Sequence, residues 1–181
     1  MVFRKSGRVV ACAFGVVLVC LLAAPVAGSA PASGRTVSAT ALSNQILREV
    51  NRVRAQHGLR PLAASPQLAG AAASHSRSMA LRGYFAHESA DGSVFWHRIQ
   101  HYYGGSGFHY WAVGENLVWA SPSLSAKQAV QMWIKSPPHR ANLLSTRWQQ
   151  IGLSAVHSPS ASGTYQGRAV TIVTADFGVR R

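Results

Sequence analysis

The sequence predicts an α+β domain, with its helices early in the chain and its longest strands at the end. Three observations carry that expectation. Apolar residues recur at helical spacing in two stretches between Leu42 and Arg82. Two β-rich runs, Ile151–Val156 and Ala169–Ala175, flank the turn-prone segment Ser158–Gly167 and read as an antiparallel pair. No alternating strand–helix–strand pattern and no internal repeat separates them, so a parallel sheet of crossover units is not expected.

The amino-terminal segment is read apart from that domain. Arg4, Lys5 and Arg8 precede the apolar run Val9–Leu22; Pro25 breaks it, and the small residues Ala27, Gly28, Ser29 and Ala30 follow. That order is the anatomy of a cleavable export signal over residues 1–30. The apolar core is short for a permanent span, which needs about 20 residues, and an uncleaved anchor stretched through Val26 is the less favoured alternative. Residues 31–40 are small and polar and read as a flexible leader, so the domain is expected over 41–181.

Within the domain, Leu42, Ile46, Val50 and Val53 mark a first helix stopped by Gly58, and Leu59–Leu62 an extended connector. Ser65-Pro66 caps a second helix that runs to Arg82 and stops at Gly83. From Tyr84 to Gly114 the pattern is irregular, with one short helix near Val94–His101. Asn116–Ala120 reads as a short strand. Ser125 and Gln128 form a capping box that opens a helix through Lys135, ended by Pro137 and Pro138, with a helical turn at His139–Leu144.

Composition excludes some chemistry. Both cysteines, Cys12 and Cys20, lie in the export signal, so the exported domain has neither a disulfide nor a reactive thiol. The net charge of +13 falls to +10 without the signal, with 15 basic against 5 acidic residues. Such a balance favours anionic partners, an envelope surface among them. The arginines are scattered and no recognition-helix, RNA-binding or zinc-finger pattern accompanies them, so nucleic acid is not expected.

Three motifs concentrate the functional side chains: Gly83-Tyr84-Phe85-Ala86-His87, Gly114-Glu115-Asn116-Leu117, and Trp133 followed by Ser136-Pro137-Pro138-His139-Arg140 with Asn142-Leu143-Leu144. In this order, and closed by Thr174-Ala175-Asp176-Phe177-Gly178, they resemble the CAP superfamily of cysteine-rich secretory, antigen 5 and pathogenesis-related class 1 proteins. The short bacterial secreted branch is the nearer likeness, over roughly Leu42 to Gly178. The resemblance implies a three-layer α-β-α sandwich with a central antiparallel sheet. It also implies a cleft in which two histidines and two glutamates converge. Carried over by motif, His87, Glu115 and His139 are three of the four, and Ser136 stands where the second glutamate is expected.

Two imidazoles and a carboxylate suit a divalent metal such as zinc. The same trio serves equally as a hydrogen-bonded network that ties three segments together. His87-Glu88-Ser89-Ala90-Asp91 is not a zinc-protease motif, because its fifth residue is aspartate and no helix carries it. Ser136 is expected to cap or terminate a helix, since no orienting carboxylate for a Ser136–His139 pair is visible. His75 is expected at the core edge, His97 and His101 on an exposed helix face, and Glu88 and Asp91 in solvent-facing loops. His109 and the aromatics of 102–111 either line a cleft for sugar or lipid or pack under the sheet. Asn142 is expected to hold a turn.

These readings favour a secreted or envelope-associated binding module for a lipid, sterol or cell-wall ligand over catalysis, because the reduced tetrad shows ligands but no evident nucleophile. A metal-dependent hydrolase using the same cleft and an envelope-associated interaction protein are the alternatives.

Overall fold

The computed structural model describes residues 38–181. The expected export signal with its two cysteines, and the expected leader as far as residue 37, lie outside the described residues. Helix α1 (Ala39–Gln56) opens on Ser38, whose hydroxyl accepts from the Ala41 amide, two residues ahead of the boundary read from the sequence. Then follow β1 (Ala63–Ala64), α2 (Pro66–Arg82), α3 (Phe95–Tyr102), β2 (Trp111–Ala120), α4 (Ala126–Lys135), α5 (Pro137–Leu143), β3 (Gln150–Ala161) and β4 (Arg168–Arg180).

The sheet order is β1-β3-β4-β2. Its three long strands are antiparallel, as expected, while the two-residue β1 pairs parallel to β3 at one edge. The connector Leu59–Leu62 delivers that short strand, which no sequence pattern marked. β2 forms the other edge and is twice the length read from Asn116–Ala120. Its first half, Trp111–Gly114, mixes aromatics and glycine and so lacked a strand signature.

Period-two alternation assigns each strand's side chains to the two helical layers. Val173, Ala175, Phe177 and Val179 of β4 pack with Val118 of β2 under α1, α4 and α5. Val170 and Ile172 face the other way, toward Met79 of α2, and Leu68, Ala71, Ile99 and Tyr103 fill the space between α2 and α3. The α-β-α layering implied by the resemblance is therefore the observed architecture.

Two glycines are required by geometry. Gly83 ends α2 at φ +69°, a left-handed conformation that β-carbons disfavour. Gly152 lets α2 rest directly on β3, because a β-carbon there would fall 2.0 Å from the backbone of Leu68 and Ala69. Gly152→Ala should therefore destabilise the domain by about 3 kcal/mol or more, read as a lower denaturant midpoint. A midpoint equal to that of the parent would show that α2 can lift from the sheet at little cost.

Candidate functional site

The site is built around two adjacent residues of β2 that point to opposite faces. Glu115 faces the α2/α3 layer and Asn116 the α4/α5 layer. Glu115 is 4% exposed, and a buried carboxylate needs donors to remain charged. It has two: His87 Nδ1 donates to Oε1 at 2.8 Å, and the Arg98 guanidinium pairs with Oε2. The Nδ1 proton of His87 is assigned from the carboxylate, which can only accept. Arg98 also donates to Ser89 Oγ at 2.9 Å, tying α3 to the loop that carries His87.

Behind this pair sits His75 of α2, 1% exposed, with Nε2 on the Ala86 carbonyl at 2.9 Å and 4.0 Å from Glu115 Oε1. It is more than a core-edge residue, because it backs the same carboxylate. Burial pushes its pKa down, opposed by the Glu115 charge. His87 moves the other way. Its hydrogen bond to Glu115 raises its pKa above the ordinary imidazole value, against the cost of partial burial.

Asn116 works on the opposite face. Its Nδ2 donates to the His139 carbonyl at 2.9 Å, which fixes the start of α5 against β2. Asn142 Nδ2 donates to the Glu115 carbonyl at 3.1 Å and to Asn116 Oδ1 at 2.9 Å, so Asn142 clamps a strand as well as its own turn. Trp133 Nε1 donates to the Leu117 carbonyl at 2.9 Å. Two outward carbonyls of an edge strand are thus capped by side chains, which removes them as a template for strand addition.

His139 reaches back around this edge, and its ring centroid lies 6.4 Å from that of His87. Its Nδ1 is 2.8 Å from Ser136 Oγ. Ser136 does stand between helices, ending α4 and preceding α5, but its hydroxyl makes no capping bond. Pro137 and Pro138 remove the first two amides it could have capped, and the hydroxyl turns to the imidazole instead. Burial, and then the neighbouring His87, lower the His139 pKa.

His87, Glu115, His139 and Ser136 are thus brought to one place. The cleft beside them, about 270 Å³, runs along β2 and is lined by Phe85, Leu117, Val118, Trp119, Met132, Trp133, Ser136 and His139. The aromatic residues 102–111 do not line it. Tyr103 is buried and Trp111 packs beside it, while Phe108 and Tyr110 are exposed, with Arg180 over Tyr103 and Phe108 and Arg181 over Tyr110. His97 and His101 are exposed on α3, and Glu88 and Asp91 are exposed in the loop that precedes it, as expected.

The residues do not suit a tight metal centre as they stand. Both Glu115 oxygens are engaged, one by a guanidinium that a cation would have to displace. Among the described residues no group of three or more His, Cys, Asp or Glu side chains is arranged to hold a metal ion.

Two members of the site escaped the sequence reading. Arg98 was legible only as one of the scattered arginines. Asp176 was legible only as part of a closing strand. It is fully buried, directly opposite Glu115 in the β2–β4 register, and no donor reaches either of its oxygens. Its contact with Glu115 becomes a hydrogen bond when one of the two carboxyls holds a proton. Desolvation, reinforced by the Glu115 charge, raises the Asp176 pKa well above the usual carboxyl range.

Residues 47–177 match the cysteine-rich secretory protein family, CAP. The uncharacterized protein YkwD of Bacillus subtilis is 28% identical over 123 residues, covering 68% of this chain and 46% of that protein. An extracellular protein of Bacillus anthracis containing an SCP domain has a TM-score of 0.61 and 28% identity, covering 84% of this chain and 45% of its own. An outer surface protein of Borrelia burgdorferi has a TM-score of 0.58 at 20% identity, covering 76% and 92%. The chain spans about half the length of the two Bacillus relatives.

Two measurements check the electrostatics. A raised Asp176 pKa means that the native state holds a proton the unfolded chain has already lost. Below the unfolded carboxyl pKa the residue contributes nothing, and as pH rises toward its folded pKa it costs stability. Asp176→Asn should then match the parent's melting temperature in acid and equal or exceed it at neutral pH. A large loss at neutral pH would mean that Asp176 is ionised and paired. Glu115→Gln should lower the apparent pKa of the His87 ring in an NMR titration, and an unchanged value would discount the hydrogen bond as its cause.

Proposed function

Because the chain belongs to the cysteine-rich secretory protein (CAP) family, we propose that it is an extracellular binding module whose cleft receives the apolar end of an amphipathic ligand. The observation that carries this reading is the composition of the cleft. Phe85, Leu117, Trp119, Met132 and Trp133 supply apolar walls, while the hydrogen-bonded pair His139 and Ser136 supplies the polar part of the lining. Sites with that division of labour hold a ligand by burial and orient it with few polar contacts.

Volume narrows the ligand class. At about 270 Å³ the cleft is smaller than the roughly 300–1,000 Å³ of sites that enclose a drug-sized molecule. A short acyl or alkyl chain fits that space better than an entire sterol. The excess of basic residues favours an anionic head group or an anionic envelope surface around it. The export signal read at residues 1–30 supports an extracellular or envelope destination, as does the Bacillus anthracis relative, which is an extracellular protein. No helix among the described residues is long and apolar enough to cross a membrane.

The metal-dependent hydrolase reading, with zinc on His87, Glu115 and His139, is less well supported, because it requires Arg98 to leave Glu115. Protein dialysed after loading with zinc should retain no stoichiometric metal. One zinc per chain, lost in His87→Ala, would restore that reading.

Trp119 and Trp133 report on the cleft directly. Titration with a short-chain fatty acid, an anionic single-chain phospholipid, a sterol and a soluble cell-wall fragment should give a saturable change in tryptophan fluorescence with the chain-bearing amphiphiles. Met132, 45% exposed on α4, can be changed without opening the core. Met132→Glu should weaken that binding at least about tenfold, a loss of about 1.4 kcal/mol. No saturable change with any of the four would overturn the proposal.

A further inference from the structure

The geometry points to a second role for the same cleft: Ser136 and His139 form a nucleophile–base dyad for carboxylic esters with a short apolar acyl group, acting without a metal. Ser136 occupies the position where the family resemblance leads one to expect a glutamate, and its hydroxyl has no structural task. It caps no backbone amide, it is half-buried in the lining of the apolar cleft, and its one hydrogen bond is to His139 Nδ1 at 2.8 Å. A serine hydroxyl held on an imidazole nitrogen, beside a pocket for the substrate's apolar group, is the minimal arrangement for acyl transfer.

The surroundings divide the two histidines between roles. His139 faces Ser136 and His87 and has no carboxylate partner among the described residues, so it rests neutral and can take a proton. In the tautomer with hydrogen on Nε2, Nδ1 offers its lone pair to the Ser136 hydroxyl. His87 is backed by Glu115, with Arg98, His75 and Asp176 around that carboxylate and Glu88 exposed beside it in the chain. Glu115 favours the imidazolium of His87, and with its ring centroid 6.4 Å from that of His139 this is the nearest side chain to the dyad that can offset charge on a carbonyl oxygen. Two like side chains whose environments push them apart are a recurrent acid–base arrangement.

The chemistry closes on these groups. Ser136 Oγ attacks the ester carbonyl carbon as its proton passes to His139 Nδ1, and His87 stabilises the resulting oxyanion. The carbon–oxygen bond to the alcohol then breaks, and the alcohol departs with the proton from His139. Water attacks the acyl-serine, giving a proton to His139. The acyl–Oγ bond breaks, the carboxylic acid leaves, and the proton returns to Ser136. Activated or short-chain esters are the substrates, because no carboxylate strengthens His139 as a base and the amine of an amide is a poorer leaving group than an alcohol.

The test uses the purified protein in the presence of a chelator, with p-nitrophenyl butyrate as substrate and a short-chain fluorophosphonate as label. The expected result is slow turnover together with one covalent adduct, placed on Ser136 by peptide mass spectrometry. Ser136→Ala and His139→Gln should each lower turnover by about a hundredfold or more and abolish the adduct, with far-UV circular dichroism unchanged. His87→Gln should lower turnover while Ser136 still labels. Turnover and labelling that persist in Ser136→Ala, turnover that disappears with the chelator, or no adduct at all would each overturn the proposal. The small label does not need the apolar walls of the cleft, so its failure leaves the binding reading standing, and loss of amphiphile binding leaves the dyad standing.

Discussion

A carboxylate removed from water must be given donors, and the way Glu115 is supplied with them organises this protein's cleft. The two donors come from separate segments. Arg98 is delivered by α3, and His87 by the loop between α2 and α3. Arg98 also holds Ser89, so loop, helix and strand close around one charge. Removing either donor leaves a buried charge short of partners, which costs far more than the pair is worth relative to an apolar core. The arrangement is accordingly better understood as a device for placing His87 than as a source of net stability.

The opposite face of β2 is positioned by the next residue along. Alternation along a strand means that Glu115 and Asn116 cannot serve the same layer. Asn116, joined by Asn142, anchors the His139 backbone, and the two histidines meet around the free edge of the sheet although they belong to different helical layers. An open sheet edge is also an invitation to strand pairing. The side chains of Trp133 and Asn142 answer that by taking the Leu117 and Glu115 carbonyls. What remains beside them is an apolar cleft.

Local signals made much of the fold legible. Ser65-Pro66 and the Ser125–Gln128 box mark real helix starts, Gly83 a real stop, and the last two strands pair as their patterns suggest. Where the pattern misled, tertiary context had taken over. Trp111–Gly114 forms strand because β4 pairs with it throughout, and α5 begins at Pro137 because proline suits the first positions of a helix as well as it ends the previous one. In the site, His87, Glu115, His139 and Ser136 were named from motifs. Arg98 and Asp176 were not, since their importance arises from burial and cross-strand register, which one chain's sequence does not display. Asp176 and Glu115, two of only five acidic residues, lie 61 positions apart and meet only because β2 and β4 pair in this register.

Serine at 136 has a consequence for the second histidine that follows from the first. His87 shows what a carboxylate does to an imidazole here: the hydrogen bond it donates to Glu115 outweighs desolvation and favours the charged ring. A glutamate in place of Ser136 would place a second carboxylate beside His139 and draw it the same way. Two imidazolium rings with centroids 6.4 Å apart would then repel across a half-buried gap. Serine offers a hydrogen bond without a charge, so burial and the field of His87 prevail, and His139 stays neutral. Serine at this position therefore separates the two histidines electrically, with the charged ring favoured at His87 and the neutral ring at His139.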